Sequence, residues 1–510
     1  MKNVMTALTV RPAAQGRWLF LLLALFLGQA QSAEYHVAVH GTGDGSLSAP
    51  WGLQQALDAT GVVKPGDTLW VHGGIYRGGF TSRLEGTAEA PIIIRAAPGK
   101  AVTVDCNPRD EKDAGLFSIL GSGTTLWGME FTCSDSRRKT EQPGSWPKDV
   151  RRGGISSRGS HNRLINLVVH DTGGVGFWGN EEEGEGGEIY GCLIYHNGWL
   201  GPDRGHGHGI YAQNARGMKH LEDNVIFSQF GIGLHCYGSQ KASLSGFHVE
   251  GNVCFHNGCL VAPDSRSQGI FLGGGAPLER TTVKDNFTHG GDGLKLGYAE
   301  NVVGQDVTAT GNYMAGSVQT VGMAALKFTG NTIIAPGTLA SLNAGPVRES
   351  PGTWDENRYH RTKVEWAAFN IKLVGAEKVT GATFAEWQAR TGCDQNSTYV
   401  EHRPEVNVVK VRPNRHEPGR AHVIVYNWER KDTVDVDLSD VLKAGQAFDI
   451  VSAQDFYGAA VAEGVHEPGK PVRLPMKEAR RPAQPLGMED YPLPQTGIEF
   501  GVYVVLPQEK

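Results

Sequence analysis

The stretch DNVIFSQFGIGLHCYG, Asp223 to Gly238, decides the fold. It joins an asparagine with an alternating apolar run behind it to a glycine with a second such run. Both halves recur on either side. The glycine half returns in GISSR (Gly154), GFWGN (Gly176), GIYAQ (Gly209), GIFLG (Gly269) and GLKLG (Gly293). The asparagine half returns in IYGCLIYHNG (Ile189), GNVCFHNG (Gly251), KDNFTHGG (Lys284) and GNYMAG (Gly311). Successive glycines stand 22, 33, 24, 36 and 24 residues apart, one basic length with loops inserted into some copies. Units of that size bury their short apolar strands only by stacking, so they predict a parallel solenoid. Asparagines at 166, 224, 252, 286, 312 and 331, with Cys192 once in their place, predict a ladder at one corner. An Asn amide bonds the coils above and below, and its backbone tolerates αL.

Period-two geometry sorts the strand after each glycine. Phe177, Ile210, Leu234, Ile270 and Leu294 point into the solenoid. Trp178, Tyr211, His235, Phe271 and Lys295 then form one outward stripe, with rungs about 4.8 Å apart. Such a row exceeds what solubility needs, and the expectation is a ligand cleft. The alternative is an aromatic ladder that only stabilises the sheet. DRGHGHGIYAQN, Asp203 to Asn214, enters the stripe from its rim. It places His208 just before a rung, with Asp203, Arg204 and His206 on the approach loop and glycines at 205, 207 and 209 allowing a tight bend. Asp292 stands in a later coil at the position of His208, and Arg158 follows the first rung. His170, His196 and His256 recur four residues after the ladder position and are expected to stack at a corner.

On these repeats the sequence resembles the all-β, right-handed parallel β-helix of the pectate-lyase-like superfamily. The openings GTGDGSLSAPWGLQQAL, VKPGDTLWVHGGIYRG and APIIIRAAPGKAVTVD look like its first coils and cap. The resemblance runs from Tyr35 to Glu401 and closes with TFAEWQARTGCDQNSTY, Thr383 to Tyr399. It does not extend to narrower groups. The WIDH motif of pectate lyases and the NTDG and GDDC motifs of polygalacturonases are absent, although Gly205-His206-Gly207 matches the GHG of the latter. From about residue 404, longer alternating strands such as HVIVYNWERKDTVDVDLSDVL and FGVYVVLP predict a C-terminal β-sandwich. The expected organisation is a signal peptide over 1–33, a solenoid over 34–403 and an accessory domain over 404–510.

Composition bounds the rest. A net charge of −6 over 510 residues gives no footprint for nucleic acid. The 69 glycines with 40% hydrophobic residues suit an ordered, turn-rich β protein. Arg11 and Arg17 precede the apolar run Trp18 to Gly28, then QAQSA, which reads as an export signal cut after Ser32 or Ala33. A secreted or periplasmic protein without a membrane anchor is expected. Seven cysteines without CxxC pairs form neither a disulfide framework nor a zinc signature, leaving one Cys254–Cys259 bridge open. A capped solenoid needs no partner subunit, so a monomer is expected.

The functional expectation, implied by the resemblance, is a carbohydrate-active enzyme on a uronic-acid-containing polysaccharide. A lyase, or a related epimerase, needs a base, an acid and a cation for the carboxylate. His208, Tyr211, His235, Lys295 and Arg204 supply those groups, with Trp178, Phe271, His206, Asp292 and Arg158 as sugar-binding residues. A glycoside hydrolase needs two carboxylates; the stripe has none, leaving Asp292, Asp203 and Asp264 as candidates. A third reading is zinc held by His206, His208 and His235, a fourth a non-catalytic carbohydrate-binding or adhesin-like solenoid. No cofactor is required by the sequence, but the acidic run Glu181 to Glu188 makes calcium a candidate.

Overall fold

The computed structural model describes residues 32–107, 116–150, 153–179, 185–262, 267–345, 352–363, 368–477 and 481–508. Residues up to 31, which hold the expected export signal, Asp264, residues 181–184 of the acidic run and the side chain of Asp292 lie outside them.

The chain coils through three parallel sheets. One face is a twelve-stranded sheet running from Glu34–Val37 to Gly352–Asp355. The second carries Val168–His170, Leu193–Tyr195, Val225–Phe227 and Val253–Phe255 in register. The third carries the glycine-led strands: Phe177 pairs with Ile210, Ile210 with Leu234, Leu234 with Ile270, and Ile270 with Leu294. In each coil, inward residues such as Leu221, Ile226 and Leu234 are buried in one continuous core. The short helix Leu53–Leu57 packs into this core at the N-terminal end. At the other end the helix Phe384–Thr391 buries Trp387, whose indole donates to Asp394.

The ladder is built as expected over Asn224, Asn252, Asn286, Asn312 and Asn331, and it continues to Asn357. Each amide accepts from the backbone N–H one coil back and donates to a strand carbonyl; Asn252 Nδ2, for example, donates to Leu221 O at 2.8 Å. Cys192 takes one ladder place, its N–H donating to Asn224. Two details differ. The αL residue is the one before the ladder Asn, as at Asp223, Gly251, Asp285 and Gly311, because the corner turns first and the amide then points inward. Asn166 is itself such a corner residue (φ 52), so Leu167 fills the ladder place and the Asn166 amide reaches out to Asn414 and Glu417. The same one-residue offset moves His170. His196 and His256 occupy αL corners, whereas His170 pairs with Tyr195 on the outer face of the second sheet. There it is clamped between Glu130 and Asp171, each at 2.8 Å.

The C-terminal region forms a five-stranded antiparallel sheet and a two-stranded one facing it, closed over Val423, Val425, Val436, Phe448, Leu474 and Val505. The other face of the larger sheet packs Ile424, Tyr426, Phe500 and Val502 against Leu193, Tyr195, Phe227 and Phe255 of the solenoid. Outer apolar residues of the second sheet are therefore interface rather than surface. All seven cysteines are buried and none forms a disulfide, Cys254 and Cys259 included.

Candidate functional site

The outward stripe is present and continuous. Trp178, Tyr211, His235, Phe271 and Lys295 pair rung to rung, and the column extends through Gln319, Ser341 and Asn370. Ring centroids lie 5.6 Å apart for Trp178–Tyr211, 5.5 Å for Tyr211–His235 and 4.6 Å for His235–Phe271. Lys295 Nζ sits 4.8 Å over the Phe271 ring and 5.0 Å from Tyr298.

Loops turn part of this stripe into a pocket. Its empty volume is about 1000 Å³, counting space open to solvent. Trp178, Tyr211 and His235 form the floor, Trp146, Arg204 and Trp199 the walls, and Tyr237 one end. The wall is a tight hairpin in which Trp199 pairs with His206 and Leu200 with Gly205. The glycines of the approach loop serve protein packing. A Cβ at Gly205 would stand 2.1 Å from Phe230 O, and one at Gly207 (φ +89) 2.4 Å from the Gly198 Cα. The loop is pressed onto the neighbouring coil, which fixes where Arg204 and His208 emerge.

The two histidines of the loop go opposite ways. His206 is buried, stacks on Trp199 at 5.0 Å, and bonds Asp203 through Nε2 at 2.9 Å. His208 points to the stripe. Its Nδ1 accepts the Ile232 N–H at 3.1 Å, so in the neutral ring Nε2 carries the proton. That Nε2 approaches His235 Nδ1 at 3.5 Å, a long contact that holds the His235 Nδ1 lone pair loosely. Among the described residues no group of three His, Cys, Asp or Glu is arranged to hold a metal.

Burial dominates the electrostatics. It lowers His208 to about 4, with Arg204 and His206 pushing the same way. It takes His235 well below the usual imidazole range, helped by His208 and Lys295 and opposed by the nearby Gly273 carbonyl, with which Nε2 makes no hydrogen bond of good geometry. Both rings are neutral at neutral pH. Burial, then Tyr237, raises the Tyr211 phenol, so it keeps its proton. Lys295 is lowered by burial. Arg204 is exposed and pairs with Asp203 at 3.2 Å.

The structure thus gathers His208, Tyr211, His235, Arg204, His206 and Trp178 around one pocket. It does not bring Lys295 or Phe271 into it. Lys295 stands three rungs beyond Tyr211, about 14 Å along the sheet. It lines a separate polar pocket with Gln268, Ser317 and Gln319. Arg158 is exposed beyond the end of its rung, outside both pockets. Register puts the Asp292 backbone where His208 stands three rungs earlier. The sequence reading missed Trp146, Trp199, Tyr237 and Tyr298. Tyr237 and Tyr298 follow the stripe within three residues, so extending the alternation signals at least Tyr237. Trp146 lies in an aperiodic insertion.

Residues 147–340 match the family described as right handed beta helix region. The chain carries a right-handed parallel β-helix. Solved structures with a related backbone path include pectate lyase Pel9A, at 18% identity over 63% of this chain and 82% of that one, TM-score 0.38. Others are XylC in complex with xylose (12%, 92% and 100%, TM-score 0.47) and a rhamnogalacturonan lyase (13%, 73% and 90%, TM-score 0.44). At these identities and TM-scores they carry nothing about this chain's substrate. No curated protein matches the sequence.

Proposed function

We propose that this β-helix is an exported carbohydrate-active protein that binds an acidic polysaccharide along the stripe and breaks it by β-elimination over Tyr211. The observation that carries this is the register-locked row of Trp178, Tyr211, His235, Phe271 and Lys295, floored by rings and ending in a cation. Rings stack on the C–H faces of sugars, while half-buried Lys295 suits a carboxylate three rungs from Tyr211. In the reaction the C5–H bond breaks, a C4–C5 double bond forms, and the C4–O bond leaves with its electron pair. Arg204 at the rim neutralises the uronate carboxylate, which makes the C5 proton more acidic. His235 Nδ1 accepts that proton, and the Tyr211 phenol, held protonated, gives one to the leaving oxygen. Returning a proton to C5 from the opposite face would be epimerisation with the same groups. Hydrolysis has less support, because no carboxylate lines the pocket among the described residues.

A second reading, a non-catalytic carbohydrate-binding solenoid, is favoured by the weak basicity of both histidines. Incubating the protein with uronic and neutral polysaccharides separates these readings. Ultraviolet absorbance of the new double bond supports elimination, and reducing ends without it indicate hydrolysis. Retardation in affinity gels with neither leaves binding alone. Repeating the assay after chelation reads a calcium requirement, and light scattering reads the proposed monomer.

A further inference from the structure

The hairpin that walls the pocket does not rest on the solenoid alone. Beneath it lies a small apolar cluster of Phe230, Cys259 and Leu260 with Met488 and Leu493, against which Leu200 and Tyr491 pack. Met488, Tyr491 and Leu493 belong to the C-terminal domain. They are carried by a loop from Ala483 to Thr496 whose two ends are tied to one buried residue, Gln454, through its backbone at one end and its side chain at the other. The Ala483 N–H donates to Gln454 O at 2.8 Å, Gln454 Nε2 donates to Pro494 O at 3.1 Å, and the Thr496 N–H donates to Gln454 Oε1 at 2.7 Å. A loop pinned at its neck and packed by its own side chains behaves as a unit. Its far side is fastened to the solenoid: the Leu486 N–H donates to Asp171 Oδ1 at 2.8 Å and the Tyr491 hydroxyl to Cys259 O at 2.9 Å.

We propose that the 483–496 loop positions the pocket, with Met488, Tyr491 and Leu493 as positioning residues that hold the Trp199–His206 hairpin and so set the place of Arg204. Leu200 is the link: it packs on the loop's cluster and pairs with Gly205 across the hairpin. The hairpin is also tied by the Leu200 N–H to Arg138 O at 2.8 Å and the Thr140 N–H to Leu200 O at 3.0 Å, and Gly205 and Gly207 press it onto the neighbouring coil. The apolar patch is the hairpin's contact with the C-terminal domain, and losing it lowers the free energy of local opening. The loop is therefore the route by which the accessory domain acts on ligand binding. That last step rests on the proposed carbohydrate function.

Hydrogen exchange on the full-length protein tests the proposal without a ligand. Leu493→Ala and Tyr491→Phe remove a buried apolar group and a single hydroxyl, and neither touches the pocket. The Leu200 and Gly201 amides are expected to exchange at least about tenfold faster in Leu493→Ala and less so in Tyr491→Phe. The ladder amides of Asn252 and Asn286 are expected to exchange at the wild-type rate. Unchanged hairpin exchange in both variants overturns the proposal, as does equal acceleration at the ladder, which would mean general destabilisation. With an acidic oligosaccharide, Leu493→Ala is expected to weaken binding severalfold while the pH dependence of turnover stays unchanged. If the wild-type protein binds no saccharide, the carbohydrate reading fails while the exchange result still stands on its own.

Discussion

At the scale of single residues, burial decides what each titratable group does. Tyr211 keeps its proton, so Tyr211→Phe is expected to lower elimination by roughly 100-fold or more with little change in melting temperature. Lys295 stands three rungs from Tyr211, so under the proposed function it holds the polymer away from the reacting bond, and Lys295→Met is expected to raise KM on long acidic oligomers with kcat nearly unchanged. Stability should respond to pH from both sides. His208 and His422 fall from 6.5 to about 4 and about 3 because burial favours the neutral ring. The unfolded chain protonates first, so their contribution is complete above about 6.5 and is lost as pH falls towards 4. His170 is the opposite case. Burial opposes its charge, but the hydrogen-bonded Asp171 and Glu130 carboxylates outweigh that and raise it to about 9. Its contribution is complete below 6.5 and is lost as pH rises through 9. Melting temperature measured against pH is expected to peak near 6.5, and His170→Gln should flatten only the alkaline side.

At the scale of elements, the corner is the unit that holds the coils in register. Removing one amide, as in Asn252→Ala, orphans the Asn224 N–H and the Leu221 carbonyl. Unsatisfied buried groups cost about 1–3 kcal/mol each, so a fall of several degrees in melting temperature is expected. Cys192→Asn should be tolerated, since the Cys192 thiol already donates to Leu164 O and its N–H to Asn224, as a ladder residue does. The repeat placed these strands and their inward faces in sequence because alternation and glycine spacing are local. It misplaced Asn166 and His170 by one residue. Ladder and corner positions are adjacent, and Asn suits both, so composition cannot tell them apart.

For the whole molecule, the accessory domain is part of the solenoid's wall. Tyr195, Phe227 and Phe255 face Tyr426, Phe500 and Val502, and Arg412 and Arg415 pair with Asp223, Glu188 and Glu222 at the same interface. Residues 34–403 expressed alone are expected to bind apolar dyes and aggregate, because truncation exposes this patch. The coils around Gly209 do not complete the pocket by themselves. Their wall and its support come from Trp146, from Tyr237 and from a loop nearly 300 residues on in sequence.

The sequence by itself determined the solenoid, the inward and outward sense of each rung, and the row from Trp178 to Lys295. Those features repeat every coil and depend on neighbours two residues apart. Only the tertiary structure decided that His206 turns into the protein while His208 faces the stripe. It also decided that the His208 lone pair is taken by Ile232, and that Lys295 stands apart from Tyr211. These outcomes depend on where aperiodic loops land and on which backbone groups they meet. Local alternation carries no information about either.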